Sequence, residues 1–187
     1  MANGLELLAE EHDDAMRARI VELLEQSAKA SADKLKFFRL AFGAADGFAD
    51  AVSIEDPRGL IDALAGNTGR ITVNWALGGA TLPKPAVKVL LNMALIGIEA
   101  LVRGGALDIG AEQRDGVCEI VVRASGAKIA FDPATAQALD GSLPDDALTS
   151  RVAVAALVRH MITALGGSLQ SALSDEALVM GAVLPVR

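Results

Sequence analysis

The stretch from Asp13 to Phe42 leaves the chain little freedom. Asp13-Asp14 is a helix-capping pair, and the apolar positions that follow, Met16, Ile20, Leu24, Ala28, Leu35, Phe38 and Phe42, recur at threes and fours, with small Ser31 filling the one gap on the stripe. A helix of that length is about 45 Å long. A shorter apolar helical piece carrying Leu5, Leu7 and Leu8 precedes it and closes over Glu6 to His12. Together they predict a helical hairpin built to pair. A lone hairpin cannot cover both apolar faces, so a dimeric four-helix bundle or packing on the rest of the chain is expected.

The rest of the chain is long enough to need its own core. Of 187 residues, 52% are hydrophobic and 22% charged, which is globular composition and excludes intrinsic disorder. Aromatics make up only 3%, so that core must be built of Ala, Leu, Val and Ile. Seventeen basic against 24 acidic residues give a net charge of −7, the wrong sign for tracking a phosphate backbone, so nucleic acid is not an expected ligand. Cys118 is the only cysteine and has no partner for a bridge or a zinc cage, which fits a reducing cytoplasm. The start of the chain is acidic, and the longest apolar run, Val89 to Ile98, is short and interrupted by Asn92. Neither a signal peptide nor a membrane anchor is expected.

Gly43 to Asp50 is small and polar and marks the best candidate boundary, dividing a hairpin over 1–43 from a second domain over 48–187. Asp56-Pro57 predicts a capped helix to about Ala65, and Ile71 to Leu77 alternates like a strand. Pro83 and Pro85 precede an apolar helix from Ala86 to Val102, stopped by Gly104-Gly105. Ala106 to Gln113 and Val117 to Ala124 are strands around the turn Arg114-Asp115-Gly116. Asp132 to Leu139 is a short helix, Ser150 is expected to cap a longer one ending at Leu165, and Ser168 to Ala172 with Leu178 to Val186 forms a final hairpin. The class is α+β, with helices on one face of an antiparallel or mixed sheet.

That order of elements is similar to the ATP-binding domain of histidine kinases, the Bergerat or GHKL fold. Val89-Leu90-Leu91-Asn92-Met93, continuing to Gly104-Gly105, resembles the N-box helix. The resemblance implies a magnesium-holding asparagine one turn after the first, where this chain has Ile96. It implies an adenine-reading aspartate where this chain has Ala124, and a glycine-bearing phosphate loop where it has Ala147-Leu148-Thr149-Ser150-Arg151. Each replacement removes an interaction that ATP binding needs. The expectation is the fold without its nucleotide, and with neither cofactor nor metal.

A helical hairpin joined to such a degenerate domain resembles the ChpT-type histidine phosphotransferases of alphaproteobacterial phosphorelays. The resemblance rests on Asn3-Gly4-Leu5-Glu6-Leu7-Leu8, on Leu35-Lys36-Phe37-Phe38-Arg39-Leu40-Ala41-Phe42-Gly43 and on the altered N-box, and it covers nearly the whole chain. It implies a cytoplasmic homodimer that moves phosphate between the aspartates of receiver domains through a histidine. In the family that histidine belongs to a His-Asp pair about two to three turns before the Asn-Gly-Leu element, which here falls before Met1. Three explanations are open: a truncated chain, a start placed at an internal methionine, or a copy without the histidine. As it stands, no catalytic residue is assigned.

Neither remaining histidine suits the role. His12 lies at the expected hairpin turn, where solvated polar residues are the norm, and His160 follows Arg159 on the C-terminal helix. At 100° per residue, Asn3, Glu6 and Glu10, with Leu7 at the edge, fall near the face of the absent histidine and should border a receiver footprint. Ser27, Ala28 and Ser31 on the second helix are small enough to admit an incoming receiver helix. Ordinary packing and solvated charge explain these residues equally well one at a time. Phe37, Phe38 and Phe42 are expected in core or interdomain packing, and Glu99 with Arg103 as an intrahelical pair. A non-catalytic docking module for response regulators is the competing reading, and the missing nucleotide elements argue against an active kinase.

Overall fold

The computed structural model describes residues 2–43 and 51–186. Helix α1 (Ala2–Glu10) and helix α2 (Asp14–Phe42) form the expected hairpin. Asp13 caps α2 as its sequence suggests, its carboxylate accepting from the Ala15 N–H at 3.0 Å, and Gly43 closes the other end. Residues 44–50, the core of the expected boundary, lie outside the described residues.

After strand β1 (Ala51–Ser53) come helix α3 (Glu55–Gly66), strand β2 (Ile71–Leu77), strand β3 (Thr81–Pro83) and helix α4 (Lys84–Ala100). Strands β4 (Gly105–Arg114) and β5 (Val117–Ser125) form a hairpin whose turn residues Asp115 and Gly116 have φ of 51° and 79°, the left-handed pair such a tight turn requires. Helix α5 (Pro133–Asp140) starts at an Asp132 cap. Helix α6 (Ala153–Ala164) and the hairpin of β6 (Ser168–Leu173) and β7 (Ala177–Pro185) complete the chain. The main sheet has the order β2-β4-β5-β7-β6, with β2 parallel to β4 and every other pairing antiparallel.

Alternation decides which face of this sheet is covered. Cys118, Ile120, Val122 and Ala124 of β5 and Leu178, Met180, Ala182 and Leu184 of β7 point inward and are buried. The opposite face carries polar ladders such as Asn74–Asp108–Arg123, joined at 2.8 and 3.0 Å. Helix α4 fills the covered side and is buried almost all round, from Ala86 to Ala100, because helices flank it on both sides. The observed class is α+β, as expected.

Four local expectations are corrected. Helix α3 begins at Glu55 after Ile54, with no side-chain cap, so Asp56 lies inside the first turn. Helix α6 begins at Ala153, so Ser150 stands in the preceding turn and caps nothing. Helix α4 ends at Ala100, where Leu101 leaves helical geometry (φ −87°, ψ 51°), and Glu99 and Arg103 form no ion pair because they no longer share a helix face. Phe38 and Phe42 stack on each other with ring centroids 5.8 Å apart, yet stay 43% and 42% exposed; only Phe37 is in the core.

Candidate functional site

Two regions compete as the working surface: the hairpin and the cleft between α4, α5 and α6. The hairpin is held together by one close approach and one arginine. A Cβ on Gly4 would stand 2.6 Å from Leu24 Cδ2, so α1 lies close against α2 here and a larger residue would push the Leu24 side chain aside. At the other end, Arg17 Nη1 donates to the Leu8 and Glu11 carbonyls, both at 2.9 Å, and so caps the C-terminus of α1. The Glu11 carboxylate accepts the His12 and Asp13 N–H groups at 2.8 and 2.9 Å. Those bonds, the Asp13 one first, hold its carboxyl below the usual range. His12 is exposed in that turn, and His160 is exposed on α6.

With α1 antiparallel to α2 in this way, the residues expected to face a partner separate into two groups. Ser27 and Ala28 lie one turn past Leu24, and Ser31 two turns past it, on the stripe of α2 that α1 covers only as far as Leu24. All three are exposed. The Ser31 hydroxyl donates to Ser27 O at 2.9 Å, so this face is small and largely free of unpaired polar groups. Glu6, Leu7 and Glu10 are exposed on α1, but Glu10 sits near the turn, about 10 Å along the helix from Asn3. The Asn3 side chain lies outside the described residues. The α2 stripe continues through Leu35, 71% exposed, to Phe38 and Phe42, an apolar face without a cover.

Beside the hairpin runs a groove of about 390 Å³ between α2 and α3, lined by Lys29, Lys36 and Arg39 on one wall and Glu55 and Asp56 on the other. Sequence reading missed it, because the meeting of two charged helix faces from separate elements has no local signal.

The α4–α5–α6 cleft encloses about 590 Å³. Ile96 on its α4 wall is 5% exposed and Ala124 beneath the sheet surface is fully buried, so the two positions that would hold magnesium and adenine present methyl groups. Asp132 is already occupied, capping α5 through the Ala134 N–H at 2.9 Å and pairing with Arg151 at 3.5 Å. Burial pushes the Glu99 carboxyl upward, toward its neutral form. The residues present do not fit a magnesium nucleotide. Cys118 is buried in β5, and desolvation followed by the Glu119 charge raises its thiol, so it is not a nucleophile.

Residues 54–177 match the model of the histidine phosphotransferase C-terminal domain. The chain belongs to the histidine phosphotransferase family. Protein phosphotransferase ChpT of Brucella abortus (strain 2308) is 33% identical over 146 residues, which cover 77% of this chain and 67% of that one. A solved bacterial phosphotransferase superposes with a TM-score of 0.79 at 27% identity, covering 97% of this chain and 85% of that chain. Acinetobacter baumannii histidine kinase AdeS gives a TM-score of 0.54 at 12% identity over 100% of this chain and 93% of its own, a likeness of fold alone. The phosphotransferase family thus shares its frame with histidine kinases, as the order of elements suggests. Among the described residues, no helix is long and apolar enough to cross a membrane.

Proposed function

We propose that the chain is a phosphorelay intermediate of the ChpT type, which passes phosphate between receiver-domain aspartates. The observation that carries this reading is the pairing of an exposed hairpin face with a cleft whose wall carries Ile96, and with a buried Ala124, where the kinase resemblance implies magnesium- and adenine-binding side chains. Such a protein takes phosphate from another protein rather than from ATP. In the proposed step a neutral imidazole nitrogen attacks the phosphorus of a phosphoaspartate, the aspartate carboxylate leaves, and phosphohistidine forms; a second receiver's aspartate then takes the group in the reverse sense. The family's acceptor histidine would stand before Met1, and neither His12 in the turn nor His160 on α6 replaces it.

On this reading the 1–43 hairpin is the docking and dimerising part, and 48–187 its support. Asn3, Glu6, Leu7 and Glu10 border the receiver footprint, and Ser27, Ala28 and Ser31 admit a receiver helix. The stripe from Leu35 to Phe42 meets a second copy in a cytoplasmic homodimer. The partners are a hybrid kinase's receiver as donor and a downstream regulator as acceptor.

Phosphotransfer from a phosphorylated donor receiver tests this, comparing these 187 residues with a chain extended upstream through the native coding sequence. Labelling of the extended chain alone, abolished when its upstream histidine becomes alanine, is the expected result. The position of both histidines in this chain favours one alternative, a docking module without chemistry. If neither chain is labelled although the receiver still binds, that alternative replaces the relay.

A further inference from the structure

The last turn of α2 ends against α4, and the way it ends fixes the hairpin. A helix C-terminus leaves its final carbonyls without partners in the helix. Here α4 supplies them: Asn92 Nδ2 donates to Ala41 O at 3.2 Å, and Lys88 Nζ donates to Gly43 O. The two donors are one turn apart on α4 and therefore share a face. Asn92 Nδ2 also donates to Lys88 O at 2.8 Å, which sets the orientation of the amide. Asn92 is wholly buried, the one buried polar side chain among the described residues, and its Oδ1 has no partner. A core position that leaves an acceptor unpaired is costly, so the contact its nitrogen makes must be the reason for the residue. Lys88 adds a positive charge at the negative end of the α2 dipole. Phe37 and Ala41 of α2, both buried, complete the joint.

We infer that Lys88 and Asn92 are positioning residues that hold the hairpin in one orientation on the α/β unit. Asn92 is the N-box asparagine by resemblance, and in this chain its amide grips a neighbouring helix end. The joint stands on geometry alone. Its consequence rests on the proposed receiver docking: the direction in which α2 leaves the α/β unit sets where the hairpin face stands relative to that unit.

Electron–electron spin distances test the joint directly. Nitroxides go on the exposed positions Glu25→Cys of α2 and Thr72→Cys of β2, in the full chain diluted with unlabelled protein; buried Cys118 stays unlabelled. The parent should give one narrow distance distribution. Lys88→Ala with Asn92→Leu should broaden it, while Lys88→Arg, which keeps a cationic donor, should not. Should the Asn92 variant unfold, Lys88→Ala alone decides, since Lys88 is only half-buried and its loss opens no core cavity. An unchanged distribution in a folded Lys88→Ala chain overturns the inference. Calorimetry with a beryllofluoride-treated receiver domain separates the two layers. Broadened distances with receiver affinity weakened about tenfold support joint and consequence together. Broadened distances with unchanged affinity keep the joint and overturn its link to docking.

Discussion

Helix α4 buries thirteen of its seventeen residues, whereas α2 buries two of twenty-nine. The first is wrapped by sheet and helices and has no side left for function. The second is an amphipathic helix whose apolar stripe is only partly covered by α1, and it meets the core through its last turns, at buried Phe37 and Ala41 and half-buried Leu40. Burial is thus concentrated in the α/β unit, and the proposed docking face lies on the hairpin. The α4–α5–α6 cleft stays open but carries Ile96 on its α4 wall, and the proposed docking surface lies elsewhere.

The largest break in this contrast should come from the core. Leu107→Ala, on β4 beneath α4 and fully buried, should cost about 2–5 kcal/mol in urea unfolding of the whole chain. Leu35→Ser with Phe38→Ser should leave that unfolding nearly unchanged and instead weaken the proposed dimer tenfold or more, about 1.4 kcal/mol at the least, by light scattering across a dilution series. Arg17→Ala should loosen α1 alone by about 1 kcal/mol, seen as faster amide exchange in α1 with the sheet unaffected.

The smallest effect is a pH dependence confined to the α1–α2 turn. Because Glu11 titrates below its usual value in the fold, its contribution is complete above the ordinary carboxylate range and is lost as pH falls through the lowered value. Amide protection of His12 and Asp13 should therefore fall on acidification, and Glu11→Gln should remove most of that pH dependence.

How much of this was legible beforehand follows from where each signal resides. The bounds of α2, the strand over Ile71–Leu77, the Asp115-Gly116 turn and the Asp132 cap are local, and each was readable from a cap, an alternation or a turn residue. Strands β1 and β3 escaped notice because three residues carry no periodicity; only their pairing, Ala51–Ser53 with Thr81–Pro83, makes them strands. The starts of α3 and α6 were misplaced because no side chain caps either one. Within the candidate site, Ser31 was visible as the one gap in the apolar stripe, and Ser27 and Ala28 as small residues beside it on the second helix. Arg17, Lys88 and Asn92 were not, since capping a distant carbonyl depends on which helix end arrives there. The aliphatic cleft was readable only through resemblance, as Ile96 and Ala124 are unremarkable core residues by pattern alone.

A nitrogen–proton correlation titration with a hybrid kinase's beryllofluoride-treated receiver domain tests the division of labour most directly. Docking on the hairpin predicts shifts concentrated at Glu6, Leu7, Glu10, Ser27, Ala28 and Ser31, with Ile96, Thr135 and Arg151 silent. Shifts centred on Ile96, Thr135 and Arg151 with an unmoved hairpin would contradict it.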